Sequence, residues 1–234
     1  MHLHTITLSA IAIGLSASTA SAALIGVNFV GNGGANGTLS ATDVAGAPGV
    51  AQDNFNNLTG GSGTSPALVD ETGAATTAIL AYAGGGVFQA GNANPVGGDE
   101  KMFRGFIFGT TTITATGIPY AQYDVYFYGL NDAAGRTDQV SLNGAPAVSL
   151  VSLAPGDAGQ VDGNIATPFN YVAGPGTGNY LRFANVTGSS FTLTAQATGN
   201  GFTNGIQIVQ VPEPAGIAAT GLVVIGLLAR RRRV

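Results

Sequence analysis

Residue types that commonly carry chemistry are sparse in this chain. It has no Cys, and its two His residues are His2 and His4. Cys nucleophiles and thiolate metal sites are therefore excluded, and no His lies beyond the first four residues to build a Ser-His-Asp triad or a zinc site. Carboxylates remain. The adjacent pairs are Asp70-Glu71 and Asp99-Glu100, and glycoside hydrolysis needs two acids that face each other. Neighbours on a strand point to opposite faces, so neither pair is a ready dyad, and both read as solvated loop acids. A structural calcium would take oxygen ligands, which Asp43, Asp53, Asp99, Asp157 and Asp162 could supply with loop carbonyls. Neither an EF-hand loop nor a Gly-rich nonapeptide repeat accompanies them. Stacking against sugar rings would fall to Tyr82, Phe88, Tyr120, Tyr171 or Tyr180, because Trp is absent. For each of these rings, packing in the core or at its rim is the alternative. Gly84-Gly85-Gly86 follows no strand-to-helix unit and is not a phosphate loop.

The elements that would position such groups are strands. Charged residues make up 9% of the 234-residue chain, far below the roughly 25% of an ordinary soluble domain. With 37 Gly, this composition describes a neutral-surfaced fold of short strands and frequent turns. Residues 23–211 hold four basic residues against eleven acidic ones, a net charge of −7. Such a body repels phosphate backbones, which argues against a nucleic-acid partner. Strand patterns run through 24–30, 76–82 and 103–108. Three hairpins are expected: 110–116 with 123–128, 139–142 with 147–150 across Asn143-Gly144, and 180–184 with 191–195. In 204–211, Ile206 and Ile208 should face inward and Gln207 outward. Residues 31–66, 84–100 and 154–178 read as long loops, and no window carries a capped amphipathic helix. An all-β sandwich of about eight to ten strands follows, with a jelly roll as the expected form.

The two ends differ from this body. Residues 1–22 have an apolar stretch, Leu8 to Leu15, then small residues ending Ala20-Ser21-Ala22. That is the pattern of a signal peptide cut before Ala23, although its n-region has no Lys or Arg. At the other end, Val211-Pro212-Glu213-Pro214 precedes a 15-residue apolar run, Ala215 to Ala229, and then Arg230, Arg231, Arg232 and Arg233. As a helix the run would cover about 22 Å, short of a ~30 Å hydrocarbon core. The clustered Arg would hold its end in the cytoplasm, and the prolines would stop a helix from extending back into the body.

Those three tail elements in that order resemble the PEP-CTERM sorting signal, whose substrates are processed by a membrane protease of the exosortase type. The resemblance covers 211–234 and implies cleavage near Pro212-Glu213-Pro214, with the apolar span as a temporary membrane handle; an ordinary C-terminal anchor is the alternative. Within the body, Val27-Asn28-Phe29, the strand Tyr123 to Gly129, Ser189 to Leu193 and Asn204 to Ile208 resemble galactose-binding-like and carbohydrate-binding jelly-roll domains, which pair their first and last strands. The expected organisation is thus a signal peptide (1–22), a sandwich body (23–210) and a sorting tail with one transmembrane helix (211–234). Signal peptidase, exosortase, the membrane and exopolysaccharide are the partners this implies. The expected function is that of an exported, non-enzymatic surface or matrix protein. The alternatives are a carbohydrate-binding module with a defined glycan and a carboxylate-dependent glycoside-active enzyme.

Overall fold

A computed structural model describes residues 22–89, 95–131, 133, 135–153 and 169–212. Short β-branched and aromatic runs between glycine turns give a mostly-β chain. The strands are β1 (Leu24–Phe29), β2 (Asn56–Leu58), β3 (Ser62–Thr64), β4 (Ile79–Ala83), β5 (Gly86–Gln89), β6 (Gly105–Phe108) and β7 (Thr111–Thr116). They continue with β8 (Gln122–Tyr128), β9 (Thr137–Leu142), β10 (Val148–Val151), β11 (Gly176–Thr177), β12 (Tyr180–Thr187), β13 (Ser190–Thr198) and β14 (Gly205–Gln210). One helix of five residues, α1 (Gly98–Met102), lies between β5 and β6. Among the described residues no helix is long and apolar enough to cross a membrane. Residues 213–234, where the sorting helix is expected, and residues 1–21, which fall in the expected signal peptide, lie outside the described residues.

The strands form a five-stranded sheet, β12-β8-β14-β1-β2, a seven-stranded sheet, β11-β10-β9-β13-β7-β4-β3, and a separate ribbon, β5-β6. First and last strands pair antiparallel, Leu24 opposite Val209 and Val27 opposite Ile206. The two larger sheets meet face to face through rings: Phe29 lies 5.3 Å from Tyr82, and Tyr123 lies 6.2 Å from Phe191, centroid to centroid. Leu80, Ile113, Val140 and Leu193 fill the seven-stranded side of that core, and Ile25, Val27, Val125 and Phe127 the five-stranded side. The compact unit runs from Ala22 to Val211.

One of the three expected hairpins forms as read. β9 and β10 pair across Asn143-Gly144, where both turn residues take positive φ (52° and 72°). The other two segment pairs are not hairpins. β7 pairs with β13, Ile113 opposite Leu193, whereas β8 pairs with β12 in the other sheet. The connections β7–β8 and β12–β13 therefore cross between sheets, side by side. Alternation reports that a strand has one buried face; it does not report whether the next strand lies beside it or across the core.

Two further expectations need correction. Gln207 is fully buried, because residues 45–52 lie over the outer face of the five-stranded sheet. There its amide Nε2 donates to Val50 O and Gln52 Oε1, both at 2.9 Å, and its Oε1 accepts from the Tyr128 hydroxyl. The expected loops also contain strands. β2 runs parallel to β1 and is held by Asn56 and Asn57 side chains that bond Gly26 O and Leu39 O at 2.8 Å. Side-chain amides stabilise a segment that shows no alternation of its own.

Candidate functional site

β5 and β6 place Phe88 directly opposite Phe106 and Gly86 opposite Phe108. Period two then puts all three phenylalanine side chains on one face of the ribbon. Ile107, pointing the other way, is fully buried, and its backbone exchanges two hydrogen bonds with Thr203 (2.9 and 3.0 Å). Phe106 is buried while Phe88 is 48% exposed, their rings 5.7 Å apart and tilted by 54°. The glycine run next to them has a steric cause. A Cβ on Gly86 would stand 2.6 Å from the Phe108 ring, so only glycine lets that ring lie over the neighbouring strand.

Phe88, Phe106 and Phe108 line a cleft of about 330 Å³, closed by Arg136 and Asn200. Arg136 directly precedes β9. Its carbonyl accepts from Ser152 N at 2.8 Å, which continues the β9–β10 pairing to the cleft wall. Asn200 sits in the turn between β13 and β14, where its carbonyl accepts from Gly109 N at 2.6 Å. A buried carboxylate braces that turn: Phe202 N donates to Asp138 Oδ2 at 3.0 Å. Asp138 is completely buried and its Oδ1 has no hydrogen-bond partner. Burial pushes its carboxyl up to about 6, against a partial pull downward from the Phe202 N–H. Four separate backbone segments thus converge on one aromatic-walled, partly cationic recess.

Of the proposed stacking rings, only Phe88 presents itself in this way. Tyr82 and Tyr120 are buried at 7% and 8% exposure, and the Tyr82 hydroxyl donates to Thr59 O at 2.7 Å. Tyr171 and Tyr180 belong to a second aromatic cluster over the five-stranded sheet, with Tyr126, Tyr128, Phe103 and Phe169. In that cluster the Tyr171 hydroxyl donates to Asp99 Oδ1, and Gly46 N donates to both at 2.9 and 3.0 Å. Burial raises the Tyr171 phenol well above its usual range and also raises Asp99.

Of the two acid pairs expected as solvated loop groups, Asp70-Glu71 does lie in a partly exposed turn, whereas Asp99-Glu100 sits on α1 and is turned inward. Glu100 is buried and accepts from Val96 N at 2.7 Å, and Glu71 accepts from Leu24 N at 2.6 Å. Asp70 caps its own turn through Thr72 and Ala74. Asp43 pairs with Lys101 at 2.7 Å, and Asp53 accepts from Asn54 Nδ2 at 3.1 Å. Asp157 and Asp162 lie outside the described residues. Among the described residues no three Asp, Glu or His side chains cluster so as to hold a metal ion.

Near the expected processing points, Ala23 N donates to Gln210 Oε1 at 3.3 Å and Gln210 N to Ala23 O at 2.9 Å. Val211 N donates to Gln122 O at 3.0 Å. Ala22 and Pro212 are the outermost described residues; Ala20, Glu213, Pro214 and Arg230 to Arg233 lie outside them. Phe106, Phe108, Arg136 and Asn200 escaped the sequence reading. The one available signal was Gly86 within a Gly-rich strand, whose meaning depends on the ring across from it. No family model, curated protein or solved structure matches this chain.

Proposed function

We propose that this protein is an exported, non-enzymatic jelly-roll protein, cut by signal peptidase and sorted by an exosortase. It would then be displayed at the cell surface or in the extracellular matrix, where it associates with exopolysaccharide. Export and sorting rest on the tail order of Pro212-Glu213-Pro214, apolar run and Arg230–Arg233, together with the leader pattern ending at Ala22. The jelly-roll reading is supported by strands that cross repeatedly from one sheet to the other and by the pairing of the first and last. The association with polysaccharide is carried by the cleft: an exposed Phe88 beside Phe106 and Phe108 offers apolar ring faces of the kind sugars stack on.

Ala23 and Gln210, the body residues just inside the two expected processing points, share two hydrogen bonds. Removal of leader and tail would leave both new ends side by side at one end of the β1–β14 pair, with the paired strands themselves intact. Mass spectrometry of the surface form from the producing bacterium tests the sorting. The chain should begin at Ala23 and end near Pro214. A surface form that retains Arg230–Arg233 would show a permanent anchor instead.

A further inference from the structure

We infer that the Phe88–Arg136 cleft binds a sugar that carries a carboxylate, as an isolated or terminal uronate in a glycan. The inference rests on the proposal that the protein meets glycans outside the cell, and it adds a ligand class and a site.

The body has few cations, and most are committed. Lys101 and Arg182 sit in ion pairs at 2.7 and 2.6 Å with Asp43 and Asp124. Arg104 is 7% exposed, with its Nη2 3.3 Å from Gln89 Oε1. Arg136 is partly exposed on the cleft wall and makes no ion pair among the described residues. A guanidinium offers a planar fork of donors that matches a carboxylate in two parallel hydrogen bonds. The same cleft is lined by Phe88, Phe106 and Phe108, which offer apolar surface to a sugar ring, and by the exposed Asn200, whose amide can donate to one hydroxyl and accept from another. No hydrogen bond within the described residues occupies that amide.

Size and charge narrow the ligand. At about 330 Å³ the cleft lies near the lower bound of small-ligand sites and suits a short sugar unit rather than a long chain. A contiguous polyanion would meet the −7 charge of residues 23–211, whereas one carboxylate seated at Arg136 gains the local contact with little of that repulsion. The walls are also preformed. Gly86 admits the Phe108 ring, Ser152 fixes the Arg136 backbone, and Asp138 braces the turn that carries Asn200.

Isothermal titration of the full chain in detergent micelles tests this with two disaccharides, galacturonosyl-galactose and uncharged digalactose. The acidic sugar should bind at least about tenfold more tightly, and Arg136→Gln should remove that preference, so that the variant holds the two disaccharides about equally. Phe88→Ala should weaken both sugars. Unchanged melting temperatures will show that each variant is folded. Equal affinity for the two disaccharides, or an Arg136→Gln variant with intact preference, overturns the uronate inference and leaves polysaccharide association standing. If neither disaccharide binds, the inference falls, and the sorting proposal is still decided separately by the C-terminal residue of the surface form.

Discussion

Two regions of this protein combine aromatic rings with polar side chains, and they differ in what those polar atoms bond. Over the five-stranded sheet, Tyr128, Tyr171, Gln207, Gln52 and Asp99 are joined to one another and to the backbone of residues 46–50. At the ribbon, Phe88 is half-exposed, and Arg136 and Asn200 face a cleft without such partners among the described residues. The first arrangement converts aromatic and amide groups into a second core that fixes loop 45–52 against the sheet. The second leaves equivalent chemistry available to a ligand. An aromatic-polar cluster is therefore a candidate site only where its donors and acceptors are left over once the fold is complete.

Substitution should separate the regions by effect on stability. The largest loss is expected for Tyr128→Ala, about 4 kcal/mol in urea unfolding, because it removes a fully buried ring and leaves Ala47 N and Gln207 without their partner. A loss under about 1 kcal/mol would mean that this face is not a core.

Asp138 comes next, with the opposite sign. Its carboxyl titrates near 6 in the folded chain against an ordinary 3.8, so the folded state holds its proton more tightly than the unfolded state. The Asp138 contribution is therefore most favourable below about pH 4, weakens between about pH 4 and 6, and is less favourable by about 3 kcal/mol above that window. Asp138→Asn should gain about 2 kcal/mol at pH 7, with the gain vanishing near pH 4. Unfolding midpoints across this range will show the slope, and a flat difference would place the carboxyl in a wetter setting.

Gly86→Ala should cost about 1–2 kcal/mol, since the new methyl meets a ring that can shift. It should also weaken sugar binding, which links the ribbon's packing to the cleft. Phe88→Ala should change stability by no more than about 0.5 kcal/mol while reducing sugar affinity in titration. Arg182→Ala is a control of similar size: its side chain is 54% exposed, and Asp124 keeps the Asn185 N–H at 2.8 Å.

Much of this architecture was legible beforehand. The alternation Phe191-Leu193-Ala195 and the Asn143-Gly144 turn are local features, determined by side-chain period and by residues that accept positive φ. The exported character expected from both ends is likewise a matter of local composition and order. Sheet membership was not legible at β7–β8 or β12–β13, since both pairs bury one face toward a common core whether they pair or cross. Nor was Gln207, whose burial depends on residues more than 150 positions away.

By itself, then, the sequence determined that the body is built of short strands and turns, that charged residues are few, and that the chain starts with an apolar, small-residue stretch and finishes with an apolar run followed by four Arg. These follow from composition and from periodicities of a few residues. Tertiary structure alone decided which aromatics are core and which are exposed. It alone decided which acids are consumed by backbone donors, and that Phe88, Arg136 and Asn200 share one recess. The reason is physical: exposure and leftover hydrogen-bonding capacity belong to the folded packing of distant segments, and no residue carries them in its own neighbourhood.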